Sequence, residues 1–141
     1  MVSNVRASIG VGLLLGLTLS LLMWSLSASP AQADTVKDCC QAHIDQAKVL
    51  LTDAKNPDYI DSLNQKDRDG LVGKLDSAST KLSEDKTEDA LAILTTLRDS
   101  KVPTLVSQGK LDAEEAGVLL TEINAAIGCI EGLQAQAPTA A

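Results

Sequence analysis

Cys39, Cys40, His43 and Cys129 are the residues whose types and spacing suit chemistry. On a helix, Cys39 and His43 are i,i+4 neighbours and Cys40 and His43 are i,i+3 neighbours, so two thiols flank one imidazole. Three thiolates and an imidazole would suit zinc or copper(I), with Cys129 completing the set. Against this, the chain has no C-x-x-C or C-x-x-C-H, and exported thiols tend to be oxidised rather than held as ligands. The favoured chemistry is structural: a disulfide between Cys40 and Cys129. It would close a loop of about 90 residues, worth roughly 4 to 5 kcal/mol in the chain-entropy account. Cys40 is preferred to Cys39, which stays the other candidate, because Cys40 shares a helical stripe with Val36, Ile44 and Ala47. A vicinal Cys39–Cys40 bridge is disfavoured, since adjacent helical side chains point about 100° apart. The odd thiol is either buried and inert or a cross-link between two molecules.

A second set of oxygens lies at Gln65-x-Asp67-x-Asp69-Gly70, with Val72 and Asp76 beyond. The rhythm is that of a calcium loop, but Gln65 stands at the first ligand position and Asp76 replaces the bidentate Glu at the twelfth. A solvated acidic turn is the expected reading. For nucleophilic or metal-assisted catalysis the chain offers no G-x-S-x-G, no phosphate-binding glycine loop and no H-E-x-x-H, so no catalytic residue is assigned and a non-enzyme is expected.

The compartment follows from the first residues. Arg6, an apolar run from Ile9 to Leu26, Pro30 and Ala31-Gln32-Ala33 have the layout of a secretory signal peptide, 1–33, cut after Ala33. Gly10, Gly12 and Gly16 within the run weigh against an uncleaved anchor. A secreted or periplasmic protein is expected, with no membrane association in the mature form. The 141 residues carry 12 Lys+Arg against 19 Asp+Glu, a formal charge of -7. A polyanionic nucleic acid is therefore disfavoured as a partner, and losing Arg6 makes the mature chain more acidic still. Asp85, Glu88, Asp89, Asp112, Glu114 and Glu115 either attract a basic partner or keep the protein soluble, and the second needs no partner.

These groups must be positioned by helices packed through small aliphatic side chains, because Tyr59 is the single aromatic residue left after Trp24 departs with the peptide. Three- and four-residue apolar steps predict an all-α, four-helix bundle over 34–133. Helix one is expected from Thr35 to about Lys55, before Pro57. Asp58 would cap a short helical turn at Tyr59–Leu63. Helix two carries Leu71, Leu75, Ala78 and Leu82, after or around Gly70. Helix three takes Thr87 as N-cap and Ala90, Leu94, Leu97 and then Lys101 or Val102 as its face, with Pro103 kinking or restarting it and Gly109 ending it. Helix four opens on Asp112-Ala113-Glu114-Glu115, a capping box in which Glu115 reaches back to the Asp112 amide. Ala116, Leu119 or Leu120, Ile123, Ala126 or Ile127, and Ile130 follow. Residues 134–141, which include Pro138, are expected to be a disordered tail.

Over Leu71 to Leu133 the chain resembles the FIMAH domain, a short helical module of secreted bacterial proteins. The resemblance lies in Leu71-x3-Leu75-x2-Ala78-x3-Leu82, Ala90 and Leu94, Val102 and Leu105, Gly109-Lys110-Leu111 with Glu115 and Ala116, and Ala126, Ile127 and Ile130. Pro103 and the lack of Phe depart from the family's pattern. The resemblance implies an accessory interaction module, with no cofactor and no catalytic residues.

The expected function is a secreted, disulfide-stabilised, non-catalytic module that binds a protein or a cell-surface component, with a homodimer closed by spare apolar faces as a further possibility. The alternative is a small periplasmic metal-binding or redox-responsive protein using Cys39, Cys40, His43 and Cys129.

Overall fold

The computed structural model describes residues 31–136. The chain divides into two units, Met1–Ala33 and Asp34–Ala141, and the expected signal peptide, but for its last residues, lies outside the described part. Four helical rods and no strand occur among the described residues: α1 (Ala31–Thr52), α2 (Gln65–Ser83), α3 (Thr87–Thr96) continuing through a π-helical turn (Leu97–Lys101) into α4 (Val102–Ser107), and α5 (Ala113–Gln136). The fold is all-α.

Each rod buries one stripe. Cys40, Ile44, Ala47 and Leu51 of α1, Leu71, Leu75, Ala78 and Leu82 of α2, and Leu119, Ile123, Ala126 and Ile130 of α5 meet in a single core from which polar side chains are excluded among the described residues. Burying one large aliphatic side chain gains roughly 1.5 to 3 kcal/mol, so a core of Leu, Ile and Ala suffices without aromatics. α2 packs beside α3, and α5 lies along α3 and α4. Side chains tie α1 to both neighbours, through Gln41 to Ser79 and Lys48 to Asp76 on α2, and through His43 to Glu122 on α5.

The chain leaves α1 earlier than Lys55 because side-chain oxygens capture the backbone amides. Asp53 accepts from Lys55 N–H and Asn56 from Asp58 N–H, local bonds that compete with the helical ladder. The expected helical turn at Tyr59–Leu63 does not form. Ile60 N–H donates to the Leu50 carbonyl at 2.9 Å, and the Arg68 guanidinium donates to the carbonyls of Ile60 and Leu63, both at 3.0 Å. Ile60 and Leu63 are thereby held in the core, and the Arg68 guanidinium also lies 5.0 Å from the centre of the Tyr59 ring.

α2 begins at Gln65, several residues before the expected repeat, and runs through Gly70. The Asn64 carbonyl oxygen accepts from Asp67 N–H at 2.9 Å while the Asn64 amide donates to the Asp67 carboxylate at 2.6 Å. This is a reciprocal cap built from residue types that the S/T-x-x-E/Q pattern does not cover. At the other end of α2, Lys86 N–H bonds the Lys81 carbonyl and Asp85 N–H the Leu82 carbonyl, a Schellman closure with Asp85 left-handed at φ 61. That closure moves the next N-cap to Lys86, whose carbonyl accepts from Ala90 N–H. Thr87 is accordingly the first helical residue and not the cap.

Pro103 lies in the first turn of α4, so the α-helix restarts there after the π-helical turn and the rod continues without an intervening loop. Lacking an N–H and crowding the carbonyl a turn before it, proline is accommodated by one widened turn, in which Val102 N–H bonds the Leu97 carbonyl five residues back. The extra residue returns Val102 to the core after Leu97 and leaves Lys101 outside. The rod ends in a second Schellman closure, Lys110 N–H to Leu105 and Gly109 N–H to Val106, with Gly109 at φ 66.

α5 starts where Asp112 accepts from Glu114 N–H at 2.8 Å. Glu115 does not complete the expected capping box. Its carboxylate accepts from Asp61 N–H at 2.9 Å and from the Ser62 hydroxyl, while that hydroxyl oxygen accepts from Asp112 N–H at 3.1 Å. Ser62 has entered the box from another segment, and Glu115 anchors the loop. The helix continues to Gln136, so 134–136 are helical rather than tail; 137–141 lie outside the described residues. Among those described, α5 alone is long and apolar enough to cross a membrane, but its stripe from Ala116 to Ile130 faces the core.

Candidate functional site: the seam between α1 and α5

The seam holds the residues with chemical potential. Cys40 and Cys129 are joined by a disulfide, their Cα atoms 5.3 Å apart. Cys40 is fully buried because it occupies the core stripe of α1, and the half-buried Cys129 sulfur lies 3.6 Å from the Val36 carbonyl oxygen. One turn further along α1, His43 Nδ1 stands 2.9 Å from Glu122 Oε2. Val36 lies beside Cys129 and His43 beside Glu122, so α1 ascends as α5 descends and the two helices are antiparallel.

The four residues of the metal reading do not assemble. Cys39 is exposed and free, about 100° around the helix from Cys40. The other two sulfurs are bonded to each other, and His43 is turned to a carboxylate. No group of three or more His, Cys, Asp or Glu side chains is placed to hold a metal among the described residues.

The suspected calcium ligands are on helix, not in a turn, which corrects both the calcium and the acidic-turn readings. Gln65 donates to Asp69 one turn on, and Asp76 pairs with Lys48 at 2.6 Å. Asp67 is engaged by Asn64 and lies 3.4 Å from Lys110. The Asn64 hydrogen bond, aided by Lys110, holds the Asp67 carboxyl below its usual range, and the Asp76 hydrogen bond raises Lys48 above its own. Much of the acidic surface is likewise structural. Asp85 meets Lys37 at 2.6 Å, Asp112 caps α5, and Glu115 holds a loop.

The surface of the described residues carries depressions, among them these two. One, of about 650 Å³, is lined by Asp85 to Asp89 with Leu133 and Gln134. The other, of about 230 Å³, runs between α2 and the third rod and is mostly apolar.

No family model, curated protein or solved structure matches this chain. The apolar positions of the FIMAH resemblance have a packing role in the structure: Leu71, Leu75, Ala78, Leu82, Ala90, Leu94, Val102, Leu105, Leu111, Ala116, Ala126, Ile127 and Ile130 are all buried, whereas Gly109 and Lys110 are exposed and Glu115 is half-buried. Any four-rod bundle needs aliphatic residues there.

Sequence reasoning missed Glu122, Asn64 and Arg68, and gave Glu115 a capping role where it holds a loop. Glu122 is recoverable once Cys40 is paired with Cys129, because an antiparallel register brings the residues after 40 opposite those before 129. Arg68 left no local signal, since its partners are backbone carbonyls in another segment.

Proposed function

We propose that this protein is an exported, non-catalytic helical module that binds a protein or cell-surface component. The observation that carries the reading is the use made of the cysteines. Cys40 is sealed in the core and bonded to Cys129, so the thiols that would have served metal or redox chemistry act as a staple between the first and last helices. Such a staple suits an oxidising compartment. The FIMAH-like spacing of Leu71 to Leu133 points the same way, toward an accessory module. Export follows from the pattern of 1–33, and the acidic exterior keeps a small aliphatic bundle soluble.

The test has two parts. Intact mass spectrometry of protein recovered from its own host, with and without reductant, should show a chain starting at Asp34 that gains about 2 Da on reduction, the mass of the two hydrogens taken up by one disulfide. Labelled oxidised protein should then bind host cell envelopes saturably, with unlabelled protein competing. A retained metal mass, or uptake that neither saturates nor is competed, overturns the reading.

A further inference from the structure

We propose that the trough between α2 and the third rod binds a free medium-chain fatty carboxylate. Its walls are Lys74 from α2, Ala92, Ile93 and Thr96 from α3, and Leu97 and Lys101 from the π-helical turn. The floor is apolar. Leu97 is almost fully buried and Ile93 half-buried, and the Thr96 hydroxyl donates to the Ala92 carbonyl at 2.8 Å, which uses up its proton within the helix. The π turn sets the geometry: its extra residue keeps Leu97 and Val102 in the core while Lys101 stands out at the end of the trough. Widened turns of this kind recur at functional sites.

Charge selects the ligand class. In a chain with 19 acidic and 12 basic residues, Lys37, Lys48, Lys81, Lys86, Arg98 and Lys110 each lie within ion-pair distance of a carboxylate. Lys55, Lys66, Arg68, Lys74 and Lys101 have no such partner among the described residues, and of these Lys74 and Lys101 border this apolar surface. Lys101 reaches Asp67 only through space, and Asp67 is already bonded by Asn64 and approached by Lys110. Two unneutralised ammonium groups beside a hydrocarbon floor complement an anion with an apolar tail. Size narrows the class further. At about 230 Å³ the trough is smaller than the roughly 300 to 1,000 Å³ of drug-sized pockets. One short alkyl chain with one carboxylate suits a space of this size. The site is separate from the α1–α5 seam and does not depend on the interaction reading above.

Titration calorimetry and methyl-resolved NMR on the oxidised protein test it, using hexanoate, octanoate, octanol and octyltrimethylammonium below their micellar concentrations. Octanoate should bind one to one, with the largest shifts at the Ile93 and Leu97 methyls. It should bind more tightly than hexanoate by roughly threefold for each added methylene. Lys74→Gln and Lys101→Gln should each weaken it by roughly two- to fivefold. Ala92→Glu, at an exposed helical position that leaves the fold intact by circular dichroism, should abolish octanoate binding. Equal affinity for octanoate and octyltrimethylammonium, unchanged binding in Ala92→Glu, or shifts centred away from Ile93 and Leu97 would each overturn the proposal. So would binding of an acidic amphipathic peptide by a protein that ignores octanoate, which would assign the trough to a protein segment.

Discussion

His43 Nδ1 lies 2.9 Å from Glu122 Oε2, one helical turn from the disulfide that joins the same two helices. The only imidazole of the chain therefore serves as a second contact along the seam. Both side chains are partly exposed, at 37% and 26%, so water screens the pair. A double-mutant cycle of His43→Ala and Glu122→Ala, read by urea unfolding at neutral pH, should give a coupling of about 0.2 to 1 kcal/mol. A coupling indistinguishable from zero would remove the contact from the account of the seam.

Loss of the staple should matter far more. The two cysteines are 89 residues apart, and a closed loop of that length restricts the unfolded chain by about 4 to 5 kcal/mol in the entropic account. Cys40→Ala with Cys129→Ala should lower stability by an amount of that order, whereas Cys39→Ser, at an exposed position, should change it by less than about 0.5 kcal/mol. Chemical denaturation of the three oxidised proteins decides the matter, and a large loss in Cys39→Ser would reassign the bridge.

Two glycines should respond with opposite signs. Gly70 lies in the interior of α2 with nothing within 4 Å of an added Cβ, so Gly70→Ala should stabilise by about 0.4 to 1 kcal/mol. Gly109 has φ 66 in the closure that ends α4, and Gly109→Ala should cost about 1 kcal/mol. Thermal midpoints moving in the same direction for both would contradict the backbone assignment.

Asp85 occupies the equivalent left-handed position after α2 without being glycine. Asp85→Gly relieves that conformation but gives up the exposed pair with Lys37. Compared in 1 M salt, where the Debye length is about 3 Å, the variant should be the more stable by a few tenths to 1 kcal/mol.

The caps and the α1–α2 bridge should shape the pH profile of stability. Asp67 is held below its unfolded value, so its contribution is present above the unfolded carboxyl pKa of about 3.9 and is lost as pH falls through the folded value. Lys48 is raised, so its contribution is present below the unfolded pKa of about 10.4 and disappears as pH rises through the folded one. Asp67→Asn should flatten the acid limb of a melting-temperature profile and Lys48→Met the alkaline limb. Unaltered limbs in both variants would refute the assignment.

Legibility in the sequence followed the range of the interaction. The stripe of Leu71, Leu75, Ala78 and Leu82, the end at Gly109 and the cap at Asp112 were readable because each is decided within a turn or two. The start of α2 was missed because Asn64 and Asp67 form a capping pair of unusual residue types. The Tyr59–Leu63 segment was misread because Arg68 supplies donors for its carbonyls from a helix that follows it. At the seam, the stripe of Cys40 with Ile44 and Ala47 marked the buried cysteine, whereas the pairing of His43 with Glu122 depends on which helix lies opposite. Glu115 shows both regimes at once: its position announced a capping box, and tertiary contact redirected it to Asp61 and Ser62.

Every loop between helices among the described residues, 53–64, 84–86 and 108–112, falls between Cys40 and Cys129. A protease that cuts once in any of them therefore releases nothing, and the product is a two-chain molecule held together at the seam. The ends of such a cut lie within one covalent ring, so a nicked molecule keeps its pieces at high effective concentration and can stay assembled where an unbridged bundle would lose a helix.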